Sequence, residues 1–119
     1  MAQDPATDAC TFDVSHEGEI YVVSVLGSLA DDAHRRGKEI FLQVLGQSPK
    51  RILVDLEGME FISSSGIGLL VSILKRCRQR GVSLPLCGLR AEVLELFRLT
   101  RLNQIFEIHD NRSAALAAR

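Results

Sequence analysis

From residue 20 onward, short apolar runs of strand length alternate with longer stretches of helical period, and no other feature constrains the fold as tightly. Arg51–Leu56 is the clearest run: nearly all apolar, interrupted only by Asp55, as expected of a strand covered on both faces. Ile20–Leu26, Val82–Cys87 and Ile105–Ile108 read as further strands. Between them, three stretches carry one apolar face each: Ala33, Gly37, Ile40, Phe41 and Val44; Ile67, Leu70, Val71, Leu74 and Cys77; and Val93, Leu96 and Phe97. These are helices, the second running from Gly66 to about Arg80. Asp31 and Asp32 suit the start of the first helix. Lys75, Arg76, Arg78 and Arg80 suit the end of the second, where cations meet the negative end of the dipole, and Gly81 follows as a C-cap.

At the front, Cys10, Phe12 and Val14 alternate with Thr11, Asp13 and Ser15, the period of a half-exposed strand. Gly18 turns that strand into the next, making a hairpin whose second strand is expected to end at Gly27. Residues 57–62 read as a connection, and Ser113–Ala118 as a short terminal helix. A hairpin followed by alternating helices and strands requires crossovers and parallel pairing. The expected fold is therefore an α/β sandwich: a mixed, mostly parallel sheet flanked by about four helices. Pro85 conflicts with its strand, because proline has no N–H for the ladder.

A chain of 119 residues suits one domain, expected over residues 10–119 behind a flexible tail at residues 1–9. With no tryptophan and one tyrosine among 46% apolar residues, the core must be aliphatic. A net charge of -1 argues against nucleic acid as a partner. Three cysteines, an odd number without a CxxC pair, suit a reduced compartment. The first ten residues carry acids and Pro5 where a leader needs a basic start and an apolar run. No stretch reaches the roughly 20 apolar residues that span a bilayer. A cytoplasmic protein without membrane insertion is expected. His16 and His34 are isolated from other ligand types, and no phosphate-cradling glycine loop precedes Lys-Ser or Lys-Thr. No metal, cofactor or catalytic residue is expected.

The segment that carries chemistry is Ile52 to Leu70: a buried strand, a loop, the hydroxyl cluster Ser63-Ser64-Ser65, then a helix opening with Gly66 and Gly68. One serine suffices to cap a helix. A phosphate on one of these hydroxyls would lie at the positive helix end and add about -1.5 to -2 charges at neutral pH. Plain N-capping and a phosphorylation switch are both compatible with the spacing. Gly66 and Gly68 are read as keeping the first turn bare for a partner's backbone.

From Ile52 to Ile108 the sequence, with ILVDLEGMEFISSSGIGLL at its head, resembles the core of the STAS domains of the anti-sigma factor antagonist family. The matching pattern around the serines is "fiDSSGlg", and the resemblance extends over about residues 10–118. It implies a non-enzymatic binding module. Unphosphorylated, such a module docks on an anti-sigma factor that is also a serine kinase of the histidine-kinase-like ATPase type. It is released when that kinase phosphorylates a serine at the helix start, and a serine phosphatase resets it. On this chain the acceptor maps to Ser65, with Ser64 as second choice. The contact surface maps to Gly27, Ser28, Asp31, Ser63, Ser64, Gly66, Ile67, Gly68 and Leu69. Two positions depart from the family pattern. Ser63 stands where the family has aspartate before the serine pair, and Ala30 stands where the turn motif Gly-x-Leu-Asp has its aspartate.

Three other readings are open to these residues. A response-regulator receiver would use Asp55 with Asp31 and Asp32, but it needs a late lysine, and the lysines are Lys38, Lys50 and Lys75. A serine hydrolase would pair Ser65 with His109, but the nucleophile elbow has glycine where this chain has Ser63. A non-phosphorylated STAS scaffold subunit, in a lipid-transport or sensory complex, is favoured by the two missing aspartates.

Overall fold

The computed structural model describes residues 10–118; the tail expected at residues 1–9 lies outside them. The hairpin forms as its alternation requires. Strand β1 (Cys10–Glu17) pairs antiparallel with β2 (Ile20–Leu29) in unbroken register from Cys10↔Gly27 to Glu17↔Ile20. Helix α1 (Asp31–Leu45), β3 (Arg51–Asp55), β4 (Met59–Ile62), α2 (Ser64–Gln79), β5 (Leu86–Cys87), α3 (Ala91–Leu99), β6 (Ile108–His109) and α4 (Arg112–Ala117) follow. A 3-10 turn at Leu102–Gln104 sits between α3 and β6. The sheet has six strands in the order β1-β2-β3-β5-β6, with β4 also on β2, and every pairing beyond the hairpin is parallel. This is the mixed, mostly parallel α/β sandwich that the alternation implies.

Four local expectations are corrected. First, residues 57–62 are not only a connection, because Met59–Ile62 is a strand. It takes the flank of β2 that β3 leaves free: β3 pairs with residues 20–24 of β2, and β4 with Gly27, Ser28 and Leu29. Second, β2 does not end at Gly27. The glycine, at φ +90°, marks a register shift against β4 and the strand runs on to Leu29. Third, α2 starts at Ser64 rather than Gly66. Fourth, the last two strands are short. The carbonyls of Ser83, Pro85 and Cys87 accept from Ile52, Val54 and Leu56 N–H, yet Pro85 has no N–H to return, and regular pairing is confined to Leu86–Cys87. The strand expected at Ile105–Ile108 becomes Ile108–His109. The chain first turns at Arg101, at φ +63°, and drives Phe106 into the core beside Phe97, ring centroids 5.9 Å apart.

The sheet is covered unequally. Val23, Val25, Ile52, Val54 and Leu86 join Phe41, Leu69, Leu70, Ile73 and Phe97 in the main core. On the opposite face Val22, Leu53 and Cys87 meet a single buried residue of α4, Ala115. So little apolar area cannot hold a six-residue helix, which is marginal on its own. Two arginines fasten α4 to β3 instead. Arg112 at its first turn donates to Asp55 Oδ2 at 2.9 Å and to Ser24 Oγ at 3.0 Å. Arg51 donates to the carbonyls of Ala118 and Ala115 at 2.9 and 3.0 Å. Asp55 completes its shell by accepting the Glu57 N–H at 3.0 Å.

Cys10, Cys77 and Cys87 are buried and free. Burial pushes the Cys77 thiol up to about 11. Burial, reinforced by the Asp55 carboxylate, pushes Cys87 up to about 12. Both therefore stay protonated in the folded chain at a pH where the unfolded chain, near 9.0, has begun to ionise. Their contribution to stability is complete below pH ~9 and declines as pH rises toward their folded values. Urea midpoints are expected to fall between pH ~8 and ~10.5, and to fall less in Cys87→Ala. A chromogenic disulfide reagent is expected to leave all three thiols nearly unreacted in the native protein and to modify all three in urea.

Candidate functional site

The serine cluster is placed by a close contact between the start of α2 and the end of β2. Ser63 donates its N–H to the Leu29 carbonyl at 3.0 Å, while its Oγ accepts the Gly66 N–H at 3.1 Å. Ser63 is thus the N-cap of α2, with extended backbone at φ -93°, ψ 173°. Gly66 faces inward. A Cβ there would lie 2.3 Å from the Leu29 carbonyl oxygen and 2.8 Å from Ile62 Cγ1, so only glycine allows the helix this close. Gly68, by contrast, is open, with nothing within 4 Å of a notional Cβ.

These contacts divide the residues expected on the contact surface. Ser64 and Gly68 are exposed, Ser65 and Ile67 half-buried. Asp31 is exposed in the first turn of α1. Ser28 is half-buried on β2 opposite Phe61 of β4. Gly27 is half-buried, and its N–H goes to the Gly58 carbonyl at 2.9 Å. Two expectations are corrected. Leu69 is fully buried and its side chain points at Gly37 of α1, so it belongs to the core. Gly66 serves the contact with Leu29 and presents no bare surface to a partner. Ser63 sits at the rim with its hydroxyl committed to the cap.

One surface residue escaped the sequence reading. Phe61 is 54% exposed beside the serines and opposite Ser28. The cue was present, since Met59, Phe61 and Ile62 place three apolar residues in four positions directly before Ser63. A strand was the natural reading of that density. At this end of the sheet Phe61, Ser64, Gly68 and Asp31 are exposed and Ser65 is half-buried, and the 16-residue helix α2 presents its positive end. The N–H groups of Ser64 and Ser65 have no intrahelical acceptor by helix geometry.

The other clusters read in the sequence do not assemble. His109 is on β6 at the far edge of the sheet, 2.6 Å from Glu107. β3 and β5 lie between it and β2, beside which Ser65 sits, so the hydrolase pair is not formed. Asp55 is held by Arg112 and the Glu57 N–H, apart from the exposed Asp31 and Asp32 of α1. Among the described residues no group of three or more ligand side chains could hold a metal, and no helix is long and apolar enough to cross a membrane.

Against known proteins, the family model described as "STAS domain" matches residues 11–115. The chain belongs to the STAS domain family. BtrV of Bordetella bronchiseptica, named as an anti-sigma factor antagonist, is 32% identical over 87 residues, covering 73% of this chain and 74% of BtrV. The crystal structure of an anti-sigma factor antagonist from Mycobacterium paratuberculosis superposes with a TM-score of 0.83 at 22% identity, covering 92% of each chain. The Bacillus cell fate determinant SpoIIAA in its phosphorylated form superposes with a TM-score of 0.72 at 18% identity, covering 92% of this chain and 100% of that one. Within this STAS domain, the two departures from the family pattern have physical meanings. Ser63 caps α2 as well as aspartate would, so structure is kept and a carboxylate is lost. Ala30 is the N-cap of α1 and offers no side-chain bond.

Equilibrium unfolding separates these roles. Ser63→Ala is expected to cost about 1 kcal/mol by removing the cap, and Gly66→Ala about 2–3 kcal/mol by overpacking against a fixed carbonyl. Ser65→Ala is expected to stay within about 0.5 kcal/mol, because it removes one hydroxyl from a half-buried residue and no packed apolar group. Ala30→Ser is expected to gain about 1 kcal/mol by capping α1.

Proposed function

We propose that this STAS domain is an anti-sigma factor antagonist: a cytoplasmic, non-enzymatic docking module gated by phosphorylation of Ser65. The observation that carries the reading is the surface at the start of α2. Phe61 supplies an exposed apolar anchor, Gly68 a place for close approach and Ser65 the acceptor hydroxyl. Unmodified, this face docks on an anti-sigma factor that is also a serine kinase of the histidine-kinase-like ATPase type. A phosphate on Ser65 adds about -1.5 to -2 charges at the start of α2. An apolar partner surface would have to desolvate that charge, and docking is lost. A serine phosphatase restores the surface. The names of the relatives and the existence of a phosphorylated form of SpoIIAA support the assignment.

Ser65 rather than Ser63 is the acceptor in this reading, because phosphorylating Ser63 would remove the cap of α2. Ser64, exposed at the adjacent position, is the second choice. A constitutive scaffold subunit is the other reading, favoured by Ser63 and Ala30, which withdraw two carboxylates from the surroundings of the acceptor.

The test is affinity capture from lysate of the source organism with wild type, Ser65→Ala, Ser65→Asp and Phe61→Ala as baits, read by mass spectrometry. Capture of one ATPase of the stated type by wild type and Ser65→Ala, lost with Ser65→Asp and weakened with Phe61→Ala, is the expected result. Equal capture of the same proteins by wild type and Ser65→Asp would overturn the switch and leave the scaffold.

A further inference from the structure

β1 is the end strand of the sheet. It is eight residues long, contains no proline, and keeps register with β2 without a bulge. Long regular edges usually carry a device that blocks pairing with another chain. Here the edge carries the exposed carboxylates of Asp13 and Glu17, and among the described residues one side chain closes on its backbone, that of Arg36. Its Nη2 donates to the Cys10 carbonyl at 2.7 Å, and its guanidinium lies 5.8 Å from the Phe12 ring centroid. It closes the first residue of the edge only.

The alternation of the ladder tells which peptide groups are free. Gly18 and Glu19 form a two-residue turn, so the flanking pair Glu17↔Ile20 is a hydrogen-bonded one. The peptide groups of Glu17, Ser15, Asp13 and Thr11 therefore point to β2. Those of His16, Val14, Phe12 and Cys10 point outward. The Cys10 carbonyl, reached by Arg36 from outside the hairpin, agrees with that assignment. Val14, at the middle of the outward set, is 46% exposed.

We propose that this edge pairs with the β1 edge of a second copy of the chain, antiparallel about a two-fold axis through Val14. Symmetric pairing that keeps each sheet face on its own side must be centred on a residue, and charge selects which. Centred on Asp13, the two Asp13 carboxylates would face each other in a close, non-hydrogen-bonded pair. Centred on Ser15, Asp13 would face Glu17. Centres nearer the ends overlap few residues or need the Cys10 carbonyl that Arg36 holds. Centred on Val14, no like charges meet. Asp13 faces Ser15 and Thr11 faces Glu17 of the other copy, hydroxyl against carboxylate each time. On the opposite face Val14 meets Val14, and Phe12 meets His16, whose ring already stacks on Tyr21 at 4.6 Å. Phe12, Val14 and His16 each exchange backbone bonds with their opposites. The self-complementary pattern, with its apolar centre and hydroxyl–carboxylate flanks, identifies the partner as the same chain.

Sedimentation equilibrium over a range of concentrations tests this. The wild type is expected to show a reversible monomer–dimer equilibrium. Val14→Lys, which sets two ammonium groups against each other, and Ser15→Glu, which sets carboxylates against Asp13, are each expected to weaken the dimer by about tenfold, as like charges directly opposite in a ladder do. Both positions are exposed, so unchanged melting curves confirm intact folds, and the two variants check each other. Register is read by disulfide trapping. Asp13→Cys mixed with Ser15→Cys is expected to form a covalent dimer, because opposed non-hydrogen-bonded residues lie about 4.5 Å apart at Cα, within disulfide reach. Neither variant alone is expected to do so. A wild type that stays monomeric at every concentration, a dimer indifferent to both charge variants, or trapping of Asp13→Cys with itself would each overturn the proposal.

Discussion

The close approach of α2 to the end of β2 is the contact on which the rest of the molecule depends. Leu29 ends β2, starts the crossover through Ala30 into α1, and offers one carbonyl to which the Ser63 N–H is tied at 3.0 Å. Gly66 presses on the same carbonyl. A single backbone group thus ties the start of α2 to the crossover that leads into α1 at one end of the sheet. β4 supplies the geometry: by pairing with the last residues of β2 it delivers Ser63 within hydrogen-bond reach. Without the glycine the helix would have to retreat, and the hydroxyl residues and the aromatic ring beside them would no longer share a surface.

The economy of that contact explains why three serines differ so much in role. Consecutive residues at a helix start point in directions about 100° apart. Ser63 turns back to cap, Ser64 is exposed, and Ser65 is half-buried. Capping and display are therefore not competing explanations of the cluster; different serines do each. The loss of the family's aspartate at position 63 leaves the fold intact for the same reason, since a hydroxyl and a carboxylate oxygen accept the same N–H. It alters only the charge around Ser64 and Ser65.

The opposite face of the sheet follows another logic. α4 contributes one buried alanine, so Arg51 and Arg112 hold it at its two ends, to β3's first residue and to its last. Hydrogen bonds to charged groups are worth about 1.5–3 kcal/mol each where they are well formed, enough to keep a short helix on a face that apolar contact could not. Asp55, which interrupts an otherwise apolar strand, is explained by that attachment and needs no chemistry of its own.

Much of this was readable in the residues. Period-2 and period-3.6 patterns depend only on which side of an element meets the core, and each element carries that information locally. The hairpin, the three large helices, the buried β3, the sheet class and the position of the serine cluster at a helix start were therefore legible in the chain alone. What the sequence could not decide were matters of pairing and approach. β4 looked like a connection because four residues hold too little periodicity, and its partner, the free flank of β2, exists only once β3 has docked. Gly66 and Gly68 look equivalent in a line of letters, yet one is pressed against a carbonyl and the other faces open space. Leu69 fell among the surface residues until the helix phase, set by the Ser63 cap, turned it toward Gly37. Phe61 reads only as part of that connection, and β4 places it outside. Apolar pattern is a property of the segment; contact across the chain is a property of the assembled fold, and only the tertiary structure could settle it.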